Sequence, residues 1–267
     1  MKVLGYHINL GATDGRVIAP NTRVQRTLAR TVLTAGRDCG LLAFRAADTH
    51  LHILAACCRE LAGRWLRSLS TKLRVRLKLP NGLSSAHFEP VADQRHLVNA
   101  FRYVLRQDER HGTQHAPLAE ASNLPDLLGM RLIGGYTAGS VARLLPRIRA
   151  EELVARLDLT VGQLTAAAIS EDAYEQLEDA AAATLGLPRL LGRSSEVVAA
   201  RVAAVAVVGD ALPTARLTRL LGSTARTIRR LKGREADPRL VEAVARQLRL
   251  RTVRTQARRD DALVLQP

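Results

Sequence analysis

The chain has 267 residues, 47% of them hydrophobic, which is enough to bury a substantial core and excludes an intrinsically disordered chain. With 40 lysines and arginines against 25 acidic residues, the formal charge is +15, so the favoured partner is a polyanion and above all nucleic acid. No apolar run reaches transmembrane length, and no amphipathic basic helix is flanked by bulky aromatic residues, so we expect no membrane partner.

The amino terminus and the cysteines indicate the compartment. The opening residues MKVLGYHINL lack the apolar core and cleavage site of a signal peptide. Cys39, Cys57 and Cys58 have neither zinc-site nor disulfide spacing, so we expect reduced thiols. These features predict a cytoplasmic protein, associated with the nucleoid if DNA is its partner.

Strand-like and helix-like segments alternate over the first 133 residues. In chain order, the pattern predicts a strand at Val3–Leu10, a helix from Asn21 or Thr22 to about Ala35, a hairpin at Leu41–Ala46 and Thr49–Ala55, a helix at about Arg59–Leu77, a strand at Ser84–Pro90 and a helix from Asp93 to about Arg110. This order predicts an α+β fold in which helices cover an antiparallel sheet.

Two histidines stand at alternate positions of the second hairpin strand. His50 and His52 therefore project side by side, as two ligands of one metal ion would. The same pair also fits the solvated face of a sheet, so the pair alone does not decide between the two interpretations. The following helix carries basic residues that are candidate phosphate contacts or simply a solvated face: Arg64, Arg67, Lys72, Arg74 and Arg76.

Tyr103 and Gln107 lie four residues apart on the last predicted helix of this region and so share one of its faces. A tyrosine on a helix is more often a half-buried packing residue than a nucleophile. A phenol has a pKa near 10, so a nucleophilic tyrosine needs a cation nearby. Two imidazoles with an amide oxygen, and no thiolate placed to join them, favour Mg or Mn.

The combination is more specific than its parts. His-hydrophobe-His in a strand, a basic helix, a strand, and a helix with Tyr103 and Gln107 resembles the single-tyrosine HUH transposases of insertion sequences. The stretches Tyr103-Val104-Leu105-Arg106-Gln107, His111-Gly112 and Ser122 to Gly129 are similar to the subgroup associated with repetitive extragenic palindromes. The resemblance covers about residues 1–133 and implies a ferredoxin-like palm.

The resemblance also implies roles for the site residues. His50 and His52, with Gln107 as third ligand, would hold Mg or Mn, and Tyr103 would attack single-stranded DNA near hairpins. The tyrosine would become joined to a 5′ phosphate while a 3′ hydroxyl leaves. Simple members of the family are dimers, whereas the subgroup with added carboxy-terminal segments can act alone, so we expect a monomer or homodimer and favour the monomer.

Beyond residue 133 the sequence is rich in Ala, Leu and Arg and predicts an all-α carboxy-terminal region. We predict a nuclease domain at 1–133, a helical connecting segment at 134–188, a basic helical domain at 189–259 and a tail at 260–267. The last predicted helix runs from Leu240 to Leu250, and we expect the chain to fray from Arg251 onwards. Between Arg189 and Arg259 there are 17 basic residues against 5 acidic ones, which favours DNA contact in this part of the chain.

The basic domain resembles a helix-turn-helix, with helices at Ala215–Leu221 and Thr224–Leu231 around the turn Gly222-Ser223. Candidate DNA contacts on its second helix are Arg226, Thr227, Arg229 and Arg230. A basic helical bundle without DNA contact is the alternative. For the whole chain, two alternatives to a transposase-like enzyme stay open: a non-catalytic DNA-binding regulator, and a hydrolytic metalloprotein that does not use Tyr103.

Overall fold

The structure, a computed structural model, describes residues 3–107, 118–209 and 211–264, with side chains described up to residue 257. Its contacts divide the chain into two compact units, Met1–Leu128 with Ile133–Arg149, and Gly129–Leu132 with Ala150–Pro267. Each unit has its own hydrophobic core. His111 and Gly112, which contributed to the family resemblance, lie outside the described residues.

The first unit is built on one sheet. Its described strands are β1 (Gly5–Gly11), β2 (Leu41–Ala47), β3 (His50–Ala55) and β4 (His87–Val91), all antiparallel, in the spatial order β2-β3-β1-β4. Helix α1 (Thr22–Gly36) joins β1 to β2, α2 (Arg59–Arg76) joins β3 to β4, and α3 (Gln94–Leu105) follows β4. This β-α-β-β-α-β succession is the split β-α-β arrangement of ferredoxin-like folds. The predicted α+β class is confirmed.

The two faces of the sheet carry different residues because side chains alternate along each strand. One face packs against α1 and α2 through buried residues that include Ile8, Leu10, Leu51 and Ile53. The intervening residues His7, Asn9, His50 and His52 therefore lie on the other face, which is the face that α3 covers. Helix α2 and its basic residues thus lie across the sheet from the histidine pair.

Local side-chain hydrogen bonds set the starts of two helices. The Asn21 side chain accepts from the backbone N–H of Val24 at the start of α1, as predicted, and Asp93 accepts from that of His96 at the start of α3. The far end of α3 differs from the prediction of a helix to about Arg110, because α3 ends at Leu105. Residues 108–110 lie outside the described part of the chain.

A buried ion pair links α1 to the segment before the short helix α4 (Leu124–Leu127). The Arg26 guanidinium donates to Glu120 Oε1 over 2.8 Å and 3.0 Å, and both side chains are almost fully buried. In the same segment, Asn123 accepts from the Phe44 N–H and donates to the Leu42 carbonyl, which covers the edge of β2. Sequence spacing gave no sign of either contact.

Replacing Glu120 with alanine is expected to lower the free energy of unfolding of the first unit by about 3 to 5 kcal/mol, because it leaves the Arg26 charge buried without its carboxylate. Trp65 is the single tryptophan and lies in this core, so its fluorescence during urea titration reports the change. The matched control is Asp14→Ala. It removes the carboxylate of the Arg16–Asp14 ion pair, which is more exposed than the Arg26–Glu120 pair, and should barely move the transition. Equal shifts would contradict the prediction.

The second unit has only helices among its described residues, so the predicted all-α carboxy-terminal region is confirmed. After α5 (Gly135–Leu144) of the first unit come α6 (Ala150–Val154), α7 (Val161–Thr165), α8 (Glu171–Tyr174), α9 (Leu177–Thr184), α10 (Ser195–Val208), α11 (Thr214–Leu220), α12 (Ala225–Lys232) and α13 (Pro238–Val264). Over the described residues, no helix has both the length and the apolar character needed to cross a membrane.

Helix α13 is longer than the sequence predicts. The prediction that the chain frays after Leu250 is wrong up to Val264, where the helix ends. Buried Arg251 explains the difference, because its guanidinium donates to Asp179 over 2.6 Å and to the Gln247 carbonyl over 2.9 Å. Thr252, also buried, accepts from the Ser170 N–H.

Candidate active site

The sheet sets the positions of the two predicted metal-binding histidines. Antiparallel pairing of β1 with β3 places Asn9 opposite His52 and Gly11 opposite His50. The imidazole ring centroids of His50 and His52 are 6.4 Å apart. Gly11 makes room for one of them, since a Cβ there would lie 3.1 Å from the His50 ring. The Nδ1 atom of His50 is 2.8 Å from Thr49 Oγ1.

A third histidine, which lies outside the His-hydrophobe-His pattern, joins this group. His7 Nε2 is 3.3 Å from His52 Nδ1, and the two rings are stacked with an interplanar angle of 9°. The other nitrogen of His7, Nδ1, is 3.1 Å from Glu89 Oε2. Glu89, His7 and His52 therefore form a chain of polar contacts that fixes the ring of His52.

Tyr103, the predicted nucleophile, stands over these rings. Its ring centroid is 5.4 Å from that of His7 and 6.0 Å from that of His52, edge-on to both. The side chain is 36% exposed and borders an open cavity of about 440 Å³ that also contacts His7, Glu89, His96 and Asn99. Helix α3 and strands β1 and β3 thus bring the phenol of Tyr103 beside His7 and His52. Tyr103 and His7 line the open cavity, while His52 is buried behind them.

Tyr136 shows the contrast with a structural tyrosine. Its hydroxyl donates to the Leu33 carbonyl over 2.9 Å, and burial raises its pKa well above the usual value. A phenol held in this way is not available to attack a phosphate. Tyr103, in contrast, borders an open cavity.

Gln107, the predicted third ligand, is almost fully buried just beyond the end of α3. Its Nε2 donates to the Tyr103 carbonyl over 3.1 Å, while its Oε1 has no hydrogen-bond partner within the described residues. The same holds for Oδ1 of Asn9, which lies opposite His52 in the sheet. Asn9 is therefore a second candidate oxygen donor, and its place in the alternating pattern of β1 was the signal for it.

These donors fit a hard divalent cation. Two imidazoles and a buried amide oxygen without a hydrogen-bond partner match the nitrogen and oxygen preference of Mn, and the oxygen suits Mg. The set depends on an amide, because the described residues contain no group of three His, Cys, Asp or Glu side chains placed to hold a metal ion. The 6.4 Å between ring centroids requires the His50 and His52 rings to move together on binding.

Comparisons of this chain with protein families, curated proteins and solved structures found no match. Its function is therefore inferred from its own side chains and their geometry.

The five basic residues predicted on α2, Arg64, Arg67, Lys72, Arg74 and Arg76, are all exposed. Helix α2 packs on the face of the sheet opposite the histidines, so these residues do not line the cavity beside Tyr103. One of them, Arg76, donates to Thr31 Oγ1 on α1. Helical periodicity identified the solvated side of α2 but not which face of the sheet the helix covers.

The helix-turn-helix pattern folds as two short helices, α11 and α12, around Gly222. This glycine has a φ of 54°, a left-handed conformation that favours glycine at a tight turn. Leu217, Ile228 and Leu231 are buried between the helices and the rest of their unit, and Leu220 is partly buried against the same core. The second helix presents Arg226, Arg229 and Arg230 to solvent, with Thr227 half-buried.

Basic and acidic side chains of this unit lie in different places. A cavity of about 690 Å³ beside α12 is lined by Arg193, Arg201, Arg226, Arg230 and Arg234, together with Thr227, and no carboxylate of the described residues lines it. The acidic residues of α8 and its carboxy-terminal end pair instead with α11: Arg216 bonds Glu171 and Glu175, and Arg219 bonds Glu175. On α12, the exposed residues Arg226 and Arg230 line this cavity.

Replacing His7 with phenylalanine is expected to weaken Mn binding roughly 10- to 100-fold, because it removes the atom that orients His52 while keeping a ring of similar size. Electron paramagnetic resonance of free Mn gives the affinity directly. The control is His87→Phe on β4, an exposed histidine on the same face of the sheet. If both variants bind Mn as the wild type does, His7 has no part in orienting the site.

Proposed function

We propose that this chain is a transposase-like, metal-dependent endonuclease and strand transferase of single-stranded DNA, acting through a covalent phosphotyrosine at Tyr103. The observation that carries the proposal is the placement of an accessible tyrosine, edge-on to His7 and His52, at the rim of an open cavity. The formal charge of +15 supports a nucleic-acid substrate.

The chemistry is a transesterification. The phenol oxygen of Tyr103 attacks phosphorus, so that one O–P bond forms while the bond to the 3′ oxygen breaks. The phenolic proton leaves, and the released strand takes up a proton to end in a 3′ hydroxyl. The protein keeps the 5′ phosphate, and because the ester bond is conserved, attack by another 3′ hydroxyl rejoins DNA without ATP.

The side chains divide the work. His50, His52 and an amide oxygen of Gln107 or Asn9 would hold Mg or Mn, which supplies positive charge to the phosphate and lowers the cost of phenol deprotonation. His7 and Glu89 orient the His52 ring. Helix α3 holds Tyr103 beside that ring, so the nucleophile comes from a different element than the metal-binding pair.

The test is a search for the covalent product. The protein is incubated with Mn and a DNA hairpin that has single-stranded flanks, labelled separately at its 5′ and 3′ ends, and is then denatured. We expect a protein band that carries the 3′ label alone, disappears with chelator and is absent when the strand is supplied as a perfect duplex. No labelled band under any of several hairpin sequences would overturn the proposal.

A second candidate function, a DNA-binding regulator without catalysis, is favoured by one feature, the α11–α12 pair with its arginine-lined cavity. In that case Arg226→Gln with Arg230→Gln would weaken binding to duplex DNA, and the covalent band would be absent from the wild type. In a transposase-like enzyme, the same variant would lower recognition of the hairpin stem while leaving Tyr103 reactive.

A further inference from the structure

A second cleft in the first unit lies between α3 and the end of α5. It has a volume of about 870 Å³, and four of its lining residues are arginines: Arg95, Arg102, Arg143 and Arg147. Among the described residues, no carboxylate lines it. We call it the arginine cleft. Sequence patterns do not reveal it, because Arg102 on one wall and Arg143 on the other are 41 residues apart in the chain.

Three of the four arginines of this cleft make no ion pair within the described part of the chain. These three, Arg95, Arg143 and Arg147, are exposed. The walls are nevertheless joined, since Gln94 Nε2 donates to the Leu144 carbonyl over 2.6 Å. The guanidinium groups of Arg95, Arg143 and Arg147 lie around one cleft and repel one another, and an anionic ligand would relieve that repulsion.

The arginine cleft adjoins the cavity beside Tyr103. Asn99 on α3 lines both of them. One side of α3 thus contributes Tyr103 to the candidate active site, while a neighbouring side contributes Arg95 and Arg102 to the cleft. This position differs from that of the α2 arginines, which lie across the sheet.

We propose that the arginine cleft binds the phosphodiester backbone of the single DNA strand that Tyr103 attacks, an inference that rests on the proposed function. Planar guanidinium groups bind phosphate through two parallel hydrogen bonds, and arginine also stacks on bases. Val98, Leu144 and Pro146 give the cleft an apolar part against which sugars and bases can pack. A basic groove with flat or apolar surfaces is the usual form of a sequence-tolerant single-strand site.

The test measures the salt dependence of binding in a Tyr103→Phe background without metal, so that no cleavage occurs. Fluorescence anisotropy of a labelled hairpin with single-stranded flanks gives Kd over a range of salt concentrations. Each single-strand phosphate contact contributes about 0.7 to the slope of log K against log salt. Arg143→Gln with Arg147→Gln should therefore reduce the slope by about 1.4, which amounts to about 25-fold weaker binding at 0.1 M salt.

The matched control is Arg23→Gln with Arg37→Gln, two exposed arginines of α1 and its carboxy-terminal cap, across the sheet from the cleft. It removes the same net charge as the cleft variant but at a distance from the cleft. If the cleft binds the strand, the control should therefore change the salt slope little. Equal effects of the two double variants would overturn the inference, because only net charge would then matter. Trp65 fluorescence on heating verifies that both variants are folded.

A second readout separates this inference from the proposed function. With Tyr103 intact and DNA below saturation, the cleft variant should form the covalent band more slowly, and saturating DNA should restore the wild-type rate. If the wild type forms no band but the cleft variant still lowers the salt slope, the proposed chemistry fails and the cleft stands as a DNA site. If the band forms equally fast in both at low DNA, the cleft inference fails and the chemistry stands.

Discussion

The Tyr103→Phe variant is expected to bind the hairpin as tightly as the wild type and to form no covalent adduct at all. The substitution removes one oxygen atom and keeps the ring that contacts His7 and His52. Because Tyr103 borders an open cavity, the loss of its hydroxyl should cost little stability. Denaturing gels with 3′-labelled DNA measure the adduct, and anisotropy measures the binding.

The control for this prediction is Tyr6→Phe. Tyr6 precedes His7 on β1 and points to the opposite face of the sheet, where it packs beside Phe88. Its variant should form the adduct at the wild-type rate. Strand cleavage that persists in Tyr103→Phe, with no adduct, would show hydrolysis by the histidine site and would contradict the tyrosine mechanism.

Much of the fold could be predicted from local sequence patterns. The period-two pattern of β3 placed His50 and His52 on one face, and the caps at Asn21 and the turn at Gly222 were readable because each depends on a few adjacent residues. The hairpin of β2 and β3 followed from two short strand-like runs around Asp48, whose φ of 52° suits a turn. Each of these features is determined within a few residues of itself.

Contacts between distant segments were not readable. His7 reaches His52 only because β1 pairs with β3 in a particular register, and Glu89 reaches His7 only because β4 flanks β1. A chain of contacts of this kind depends on strand order, which spacing along one segment does not reveal. Glu120, which pairs with Arg26, is another case, since the two residues are 94 positions apart.

The sequence does not show where the basic residues of α2 lie relative to Tyr103. The amphipathic pattern of α2 shows that its arginines are solvated, which is so, but the core on its apolar face places them away from Tyr103. The arginines nearer the candidate site lie on α3 and near the end of α5, where only the tertiary fold brings them together. Helix periodicity shows which side of a helix faces solvent. Only the packing of the fold shows which other residues lie near that side.

Replacing His52 with alanine is expected to slow adduct formation by roughly a thousandfold and to abolish tight Mn binding, because a cation contributes several kcal/mol to a phosphoryl transition state. His52 contacts both His7 and Tyr103, so it links the predicted metal-binding histidines to the predicted nucleophile. Single-turnover gels give the rate, and Mn titration by paramagnetic resonance gives the affinity. His87→Ala on β4 is the control and should leave both unchanged.

The pair of variants separates the two parts of the site. Tyr103→Phe should keep Mn affinity and lose the adduct, whereas His52→Ala should lose both, since the phenol is not deprotonated or directed at phosphorus without the cation. Adduct formation by His52→Ala in the presence of chelator would mean that the tyrosine acts without a metal. That result would leave the nucleophile in place and remove the histidine pair from the chemistry.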